Sequence, residues 1–155
     1  VTEPNPFELT STLVAIPSVS FEEEAIVDFL HSRLESVPWL ETSRIGNNLI
    51  AKTNIGKDSR LLLGGHTDTV PPNRNSEPRL EGDTLWGLGA ADMKGGLAVM
   101  LSLAESISEP TFDMSYVFYA REEVASEHSG LKEIEISDPE LLSADLALLG
   151  EPTSG

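Results

Sequence analysis

Apolar residues near the start of the chain recur at helical spacing. Residues 7–16 read as a short helix that Pro17 ends. Ser20 with Glu23 three residues later forms a capping-box pattern. Ile26, Phe29, Leu30, Leu34 and Val37 line one face of the helix it would open, and Pro38 closes it. Residues 39–45 and 48–53 predict two strands around the turn pair Gly46-Asn47. Residues 60–64 predict a buried strand from the run Leu61-Leu62-Leu63, and residues 71–82 predict a polar loop. Residues 93–107 predict a helix with Ala98, Leu101 and Ala104 inward. Residues 114–120 alternate and predict a strand. Residues 133–142 predict one or two short helices, and residues 144–149 an apolar strand.

Strands and helices alternate after residue 60. That order predicts an α/β layered fold with a mostly parallel central sheet flanked by helices. In such sheets the chemistry gathers at the carboxyl ends of the strands.

Composition narrows the function classes. A chain of 155 residues suits one domain with a real core. With 26 acidic side chains against 10 Lys and Arg, the net charge is −16. Nucleic acid and anionic membranes are therefore not expected partners. No apolar run is long enough to cross a bilayer, and the N-terminal residues do not read as a signal peptide. A cytoplasmic protein is the expectation. The chain opens on Val1 rather than Met, so a piece of a longer protein is expected. Without cysteine there is no disulfide and no thiolate ligand. Any metal site must be built from Asp, Glu and the three histidines.

Four segments carry candidate chemistry. His66 follows the leucine strand, and a neutral imidazole is a good zinc ligand. Asp68, two residues on, can turn back to hold the other ring nitrogen. In isolation, a turn with a satisfied histidine is the commoner reading. Asp92 sits among glycines at the start of the next helix, as a ligand or as a plain N-cap. Gly87-x-Gly89 begins like a dinucleotide fingerprint, but its third glycine is absent, and no Gly-Lys-Ser/Thr follows. Glu122-Glu123 end a strand, where adjacent side chains face different ways. One can bind metal while the other moves protons, or both are simply solvated. Glu151 follows the last strand and is fixed by Pro152. Two zinc ions sharing one carboxylate need about five protein ligands. His66, Asp92, Glu123 and Glu151 supply four, and Glu122 is left as a base.

Residues 65–71 (Gly-His-Thr-Asp-Thr-Val-Pro), 89–96 (Gly-Ala-Ala-Asp-Met-Lys-Gly-Gly), 121–123 (Arg-Glu-Glu) and 150–153 (Gly-Glu-Pro-Thr) resemble the co-catalytic zinc amidohydrolases. That family includes acetylornithine deacetylase, aminoacylase and glutamate carboxypeptidases. The motifs come in the family's order at similar spacing. The combination of Glu122-Glu123-Val124 with residues 150–153 is most similar to the desuccinylase branch of actinobacterial type. Val124 departs from the glycine of many members.

The resemblance implies that His66 and Glu151 bind one zinc, that Asp92 bridges both, and that Glu123 binds the other. It implies Glu122 as general base and Asp68 as the group that orients His66. It implies two Zn2+ in the complete enzyme, with Co2+ a possible substitute, and one in this chain. The last ligand in the family is a histidine near the C-terminus of the full-length protein. Residues 1–155 would then be the N-terminal part of the catalytic domain, without the dimerisation and lid domain or the C-terminal part. The implied substrate is a small acylated amino acid, and the implied assembly is a homodimer. This chain alone is expected to be inactive, and a zinc-binding domain without activity is the alternative. His128 is expected in a loop and His31 on the polar side of its helix. Lys94 and Arg121 are the only bases within two residues of the ligand motifs.

Overall fold

Asn5 caps the first helix by accepting a hydrogen bond from the Phe7 amide at 3.0 Å. The computed structural model describes residues 5–153. Helix α1 spans Pro6–Val14 and α2 spans Glu24–Leu34. The capping box expected at Ser20 and Glu23 does not form, and α2 has no side-chain cap at Glu23. Ser20 Oγ instead donates to the Asp68 carboxylate at 2.7 Å. Glu23 accepts from the Phe21 amide at 2.8 Å and from Asn47 at 3.2 Å. A hydroxyl donating to a carboxylate makes a strong, charge-assisted bond, which turns Ser20 toward the distant acid.

Strands β1 (Glu41–Ile45) and β2 (Asn48–Lys52) form the expected hairpin. Strand β3 runs Arg60–His66, so His66 is the last residue of the strand rather than the first beyond it. The expected polar loop holds a small hairpin, β4 (Arg79–Glu81) and β5 (Thr84–Trp86), with Gly82 at φ 59° in its turn. Its polar composition hid the pairing. Helix α3 covers Gly95–Ser106 and is preceded by a wide helical turn at Ala90–Lys94, which delays its start and carries Asp92. Strand β6 is Asp113–Tyr119, α4 is Gly130–Ser137 and β7 is Leu146–Leu149.

The main sheet has the order β1-β2-β6-β3-β7. It is parallel through β3 and antiparallel where the β1–β2 hairpin adds its strands to β6. The α/β layering expected from the sequence is present. Strand β6 lies centrally and is buried along its whole length, not alternately. Helices α1, α2 and α3 cover one face, packing Leu13, Leu30 and Leu101 against Leu49, Tyr116 and Phe118. Helix α4 covers the other, with Ile134 against Ile50 and Val117. Strand β7 is at the edge, and Leu146, Leu148 and Leu149 are exposed.

Register positions the site. His66 pairs with Tyr119 across β3 and β6, and Gly64 pairs with Leu149 across β3 and β7. Parallel strands therefore release His66, Glu122 and Glu151 at the same sheet edge. Among the described residues, no helix is long and apolar enough to cross a membrane.

Candidate metal centre

His66 is buried, and its ring nitrogens face different partners. Nδ1 lies 3.0 Å from the Asp68 carbonyl and 3.5 Å from the Asp68 carboxylate. Nε2 lies 3.0 Å from Asp92 Oδ1 and 3.7 Å from Glu151 Oε2. Nδ1–H donates to Asp68, so a neutral ring turns the Nε2 lone pair toward two carboxylates. Such a set of acceptors needs a proton or a cation among them. His66, Asp92 and Glu151 bring one ligand atom each within 4.8 Å, as do His66, Glu122 and Glu123. Among the described residues, none of these four acids pairs with Lys or Arg. Neutral imidazole with uncompensated carboxylates is the donor set of a zinc-type ion, so the residues present fit a metal.

The electrostatics agree. Burial pushes the Glu123 and Glu151 carboxyls up, and the neighbouring acids push them further. Burial opposes charge on His66, but its bonds to Asp68 and Asp92 and the charge of Glu151 outweigh this and raise it to about 9. A metal binding at pH 7 must therefore displace a proton from His66. Metal affinity is expected to fall about tenfold per pH unit below 9. Calorimetry at pH 7 in buffers of different ionisation enthalpy should find about one proton released per metal.

Asp68 does more than face His66. Its carboxylate accepts from Ser20 Oγ at 2.7 Å and from the amides of Glu122 at 2.9 Å and Glu123 at 3.1 Å. Burial disfavours its charge, yet these bonds and His66 hold it at about 2. One buried carboxylate thus fixes both the imidazole and the backbone of the two adjacent glutamates.

Local packing explains the glycines of the motifs. A β-carbon on Gly65, Gly96 or Gly150 would meet Met93 Cε at 2.5, 2.9 and 2.9 Å. Met93 fills that space, and its sulfur accepts the His66 amide at 3.2 Å. The side chain after Asp92 is thus seated among three of the motif segments. The Glu122-Glu123 loop is closed by Gly130, whose amide donates to the Ala120 carbonyl at 2.8 Å. A β-carbon there would lie 2.0 Å from Asn48 Oδ1, which accepts the Ala120 amide at 2.9 Å. Gly130→Ala is expected to destabilise the fold by about 2 kcal/mol or more, measured by urea unfolding.

Asp92 does not act as a plain helix cap. Sequence reasoning missed Tyr119, whose hydroxyl donates to Glu151 Oε1 at 3.4 Å, and assigned Ser20 to a helix end. Neither carries a local signal. His128 is exposed, edge-on to Phe21, and joins no metal-type group among the described residues. His31 is half-buried, 3.4 Å from Thr42 Oγ1. Lys94 is buried and donates to the Ile16 carbonyl at 2.7 Å, while Arg121 pairs with Glu133.

A sheet edge that gathers one imidazole and four carboxylates defines an α/β protein with a candidate metal centre. Residues 62–155 match peptidase family M20/M25/M40, and the chain belongs to that family. The crystal structure of the Bacillus subtilis YXEP protein, described as a dinuclear metal-binding peptidase of family M20, superposes with a TM-score of 0.65 at 16% identity, covering 93% of this chain and 41% of that one. The chain is 47% identical over 152 residues to a Mycobacterium tuberculosis protein provisionally named succinyl-diaminopimelate desuccinylase. It is 44% identical over 156 residues to the succinyl-diaminopimelate desuccinylase of Corynebacterium glutamicum. Each alignment covers 97% of this chain but only 43% and 42% of the relative's length. The crystal structure of a Staphylococcus aureus tripeptidase superposes with a TM-score of 0.78 at 26% identity, covering 99% of this chain and 44% of that one.

Proposed function

We propose that this chain is the N-terminal part of the catalytic domain of an amide hydrolase that releases succinate from N-succinyl-LL-2,6-diaminopimelate. The observation that carries the reading is the convergence of His66, Asp92 and Glu151 with Glu122-Glu123 at one sheet edge. The substrate rests on the names of relatives 44–47% identical to this chain.

In this reading His66, Asp92 and Glu151 would hold one zinc, and Asp92 and Glu123 would contribute to a second site. Zinc, when bound, supplies Lewis-acid polarisation of the scissile carbonyl and of the attacking water. Glu122 takes a proton from that water and returns it to the leaving amine. Its amide is tied to Asp68, and its exposed side chain is free to meet substrate. Asp68 holds Nδ1–H of His66, so that Nε2 stays available to the metal. Lys94 and Arg121 are both engaged within the fold. Neither is therefore free to read a succinyl carboxylate, and in this reading the rest of a full-length homodimer supplies that cation.

The test is a substrate panel on a polypeptide of the relatives' full length that contains this chain. Succinate release from the succinylated diamino acid is the expected result. Preferential cleavage of N-acetylornithine or of dipeptides would replace the desuccinylase reading. Zinc analysis of this chain alone should find one tightly held ion. No retained zinc in folded protein would overturn the metal assignment.

A further inference from the structure

Behind the metal centre, a second set of buried polar groups is left without partners. Lys94, Ser18 and Thr69 are each 2% exposed or less. The hydroxyls of Ser18 and Thr69 make no hydrogen bond. Lys94 donates one of its three N–H bonds, to the Ile16 carbonyl at 2.7 Å, and has no carboxylate partner among the described residues. All three side chains line one cavity of about 70 Å3.

The groups converge from separate segments. Residues 17–19 lie alongside the segment that follows β3, with the Thr69 amide donating to the Ser18 carbonyl at 2.9 Å and Val19 bridging to Thr69. A β-carbon on Gly89 would touch Thr69 Cγ2 at 2.7 Å and Lys94 Cδ at 3.4 Å, so these side chains share one wall. Two carbonyls beside the cavity are occupied: the Ser18 carbonyl takes the Thr69 amide, and the Thr69 carbonyl takes the Ser20 amide at 3.2 Å. Pro17 and Pro72 also line the space and bring no N–H. Ser76 and Glu77 line it from the exposed side, where water screens the carboxylate.

A buried ammonium without a counter-charge is costly. Its cavity offers two unpartnered hydroxyls, each able to turn its O–H to an acceptor. A water molecule there would leave the ammonium charge uncompensated, whereas an anion accepts from all three groups and supplies the counter-charge. The volume suits one small ion. We propose that this cavity binds a single monovalent anion, chloride in practice, held by the Lys94 ammonium and the Ser18 and Thr69 hydroxyls. The bound ion links residues 17–19 to the segment after β3 that carries Asp68. This site is separate from the catalytic reading and does not depend on it.

Crystals soaked in sodium bromide test the assignment directly. An anomalous peak within hydrogen-bond distance of Lys94 Nζ is expected, and density that refines as water alone would overturn it. In solution, chloride replacing gluconate at constant ionic strength should raise Tm saturably by about 5 °C. Thr69→Val keeps the shape and removes one donor. It should shift the chloride midpoint about tenfold, and Lys94→Met should abolish the response. Equal Tm in both salts, or an undiminished response in Thr69→Val, would sink the proposal even if Lys94→Met does not fold.

Discussion

Glu122→Gln, in a polypeptide of the relatives' full length, is expected to keep its zinc and lose about a thousandfold or more in kcat. The amide has the size of the carboxylate but cannot accept the water's proton. The fold should tolerate it, because what Asp68 holds is the Glu122 backbone amide, and the side chain is exposed. Zinc content separates the alternatives. His66, Glu122 and Glu123 also stand close enough to share an ion. Loss of metal in the variant would make Glu122 a ligand, and normal turnover would remove it from the chemistry. Retained metal with lost turnover is the result the proton-transfer role requires.

Asp68→Asn should have the largest effect on the fold around the site. The side chain is buried and accepts from Ser20, Glu122 and Glu123 while facing His66 Nδ1. An amide has one acceptor oxygen, and its NH2 would be turned against donors. A cost of about 2–4 kcal/mol is expected, with zinc affinity lower by 10–100-fold, roughly the effect of losing an orienting partner. The sign of the pH dependence follows from the depressed value. Asp68 lies at about 2 in the fold. Its stabilisation is complete above the ordinary Asp range near 4 and is lost as pH falls through about 2, roughly 2 kcal/mol in all. Urea unfolding at pH 7 and at pH 2 should show this loss in the parent chain and not in Asp68→Asn. Equal stability of the two proteins at pH 7 would show that the bonds to the glutamate loop contribute nothing.

Much of the fold was legible because its signals are local. Pro17 and Pro38, the Gly46-Asn47 turn and the leucine run at 61–63 each act within a few residues. The boundaries moved where a distant partner intervened. Ser20 and Glu23 satisfy a local capping pattern, but Asp68, 48 residues away, takes the hydroxyl. The hairpin at β4 and β5 was masked by its polar residues, since pairing on an exposed ribbon needs no apolar alternation. Strand β7 kept its apolar pattern while its leucines stayed exposed at the sheet edge, because hydropathy encodes a tendency and the topology decides what covers it.

For the site, the sequence by itself determined the chemistry available. It supplied one histidine and four acids beside glycines, with no cysteine. It also set the order of those residues and their place at strand ends. Only the tertiary structure decided how they meet. Pairing of His66 with Tyr119 in parallel strands brings residues more than fifty positions apart to one edge. There Asp68 can bond the amides of Glu122 and Glu123, and Tyr119 can reach Glu151. Those contacts depend on register and chain crossing, which no single segment encodes. The donor types are covalent properties of the sequence, whereas their distances follow from how the sheet closes.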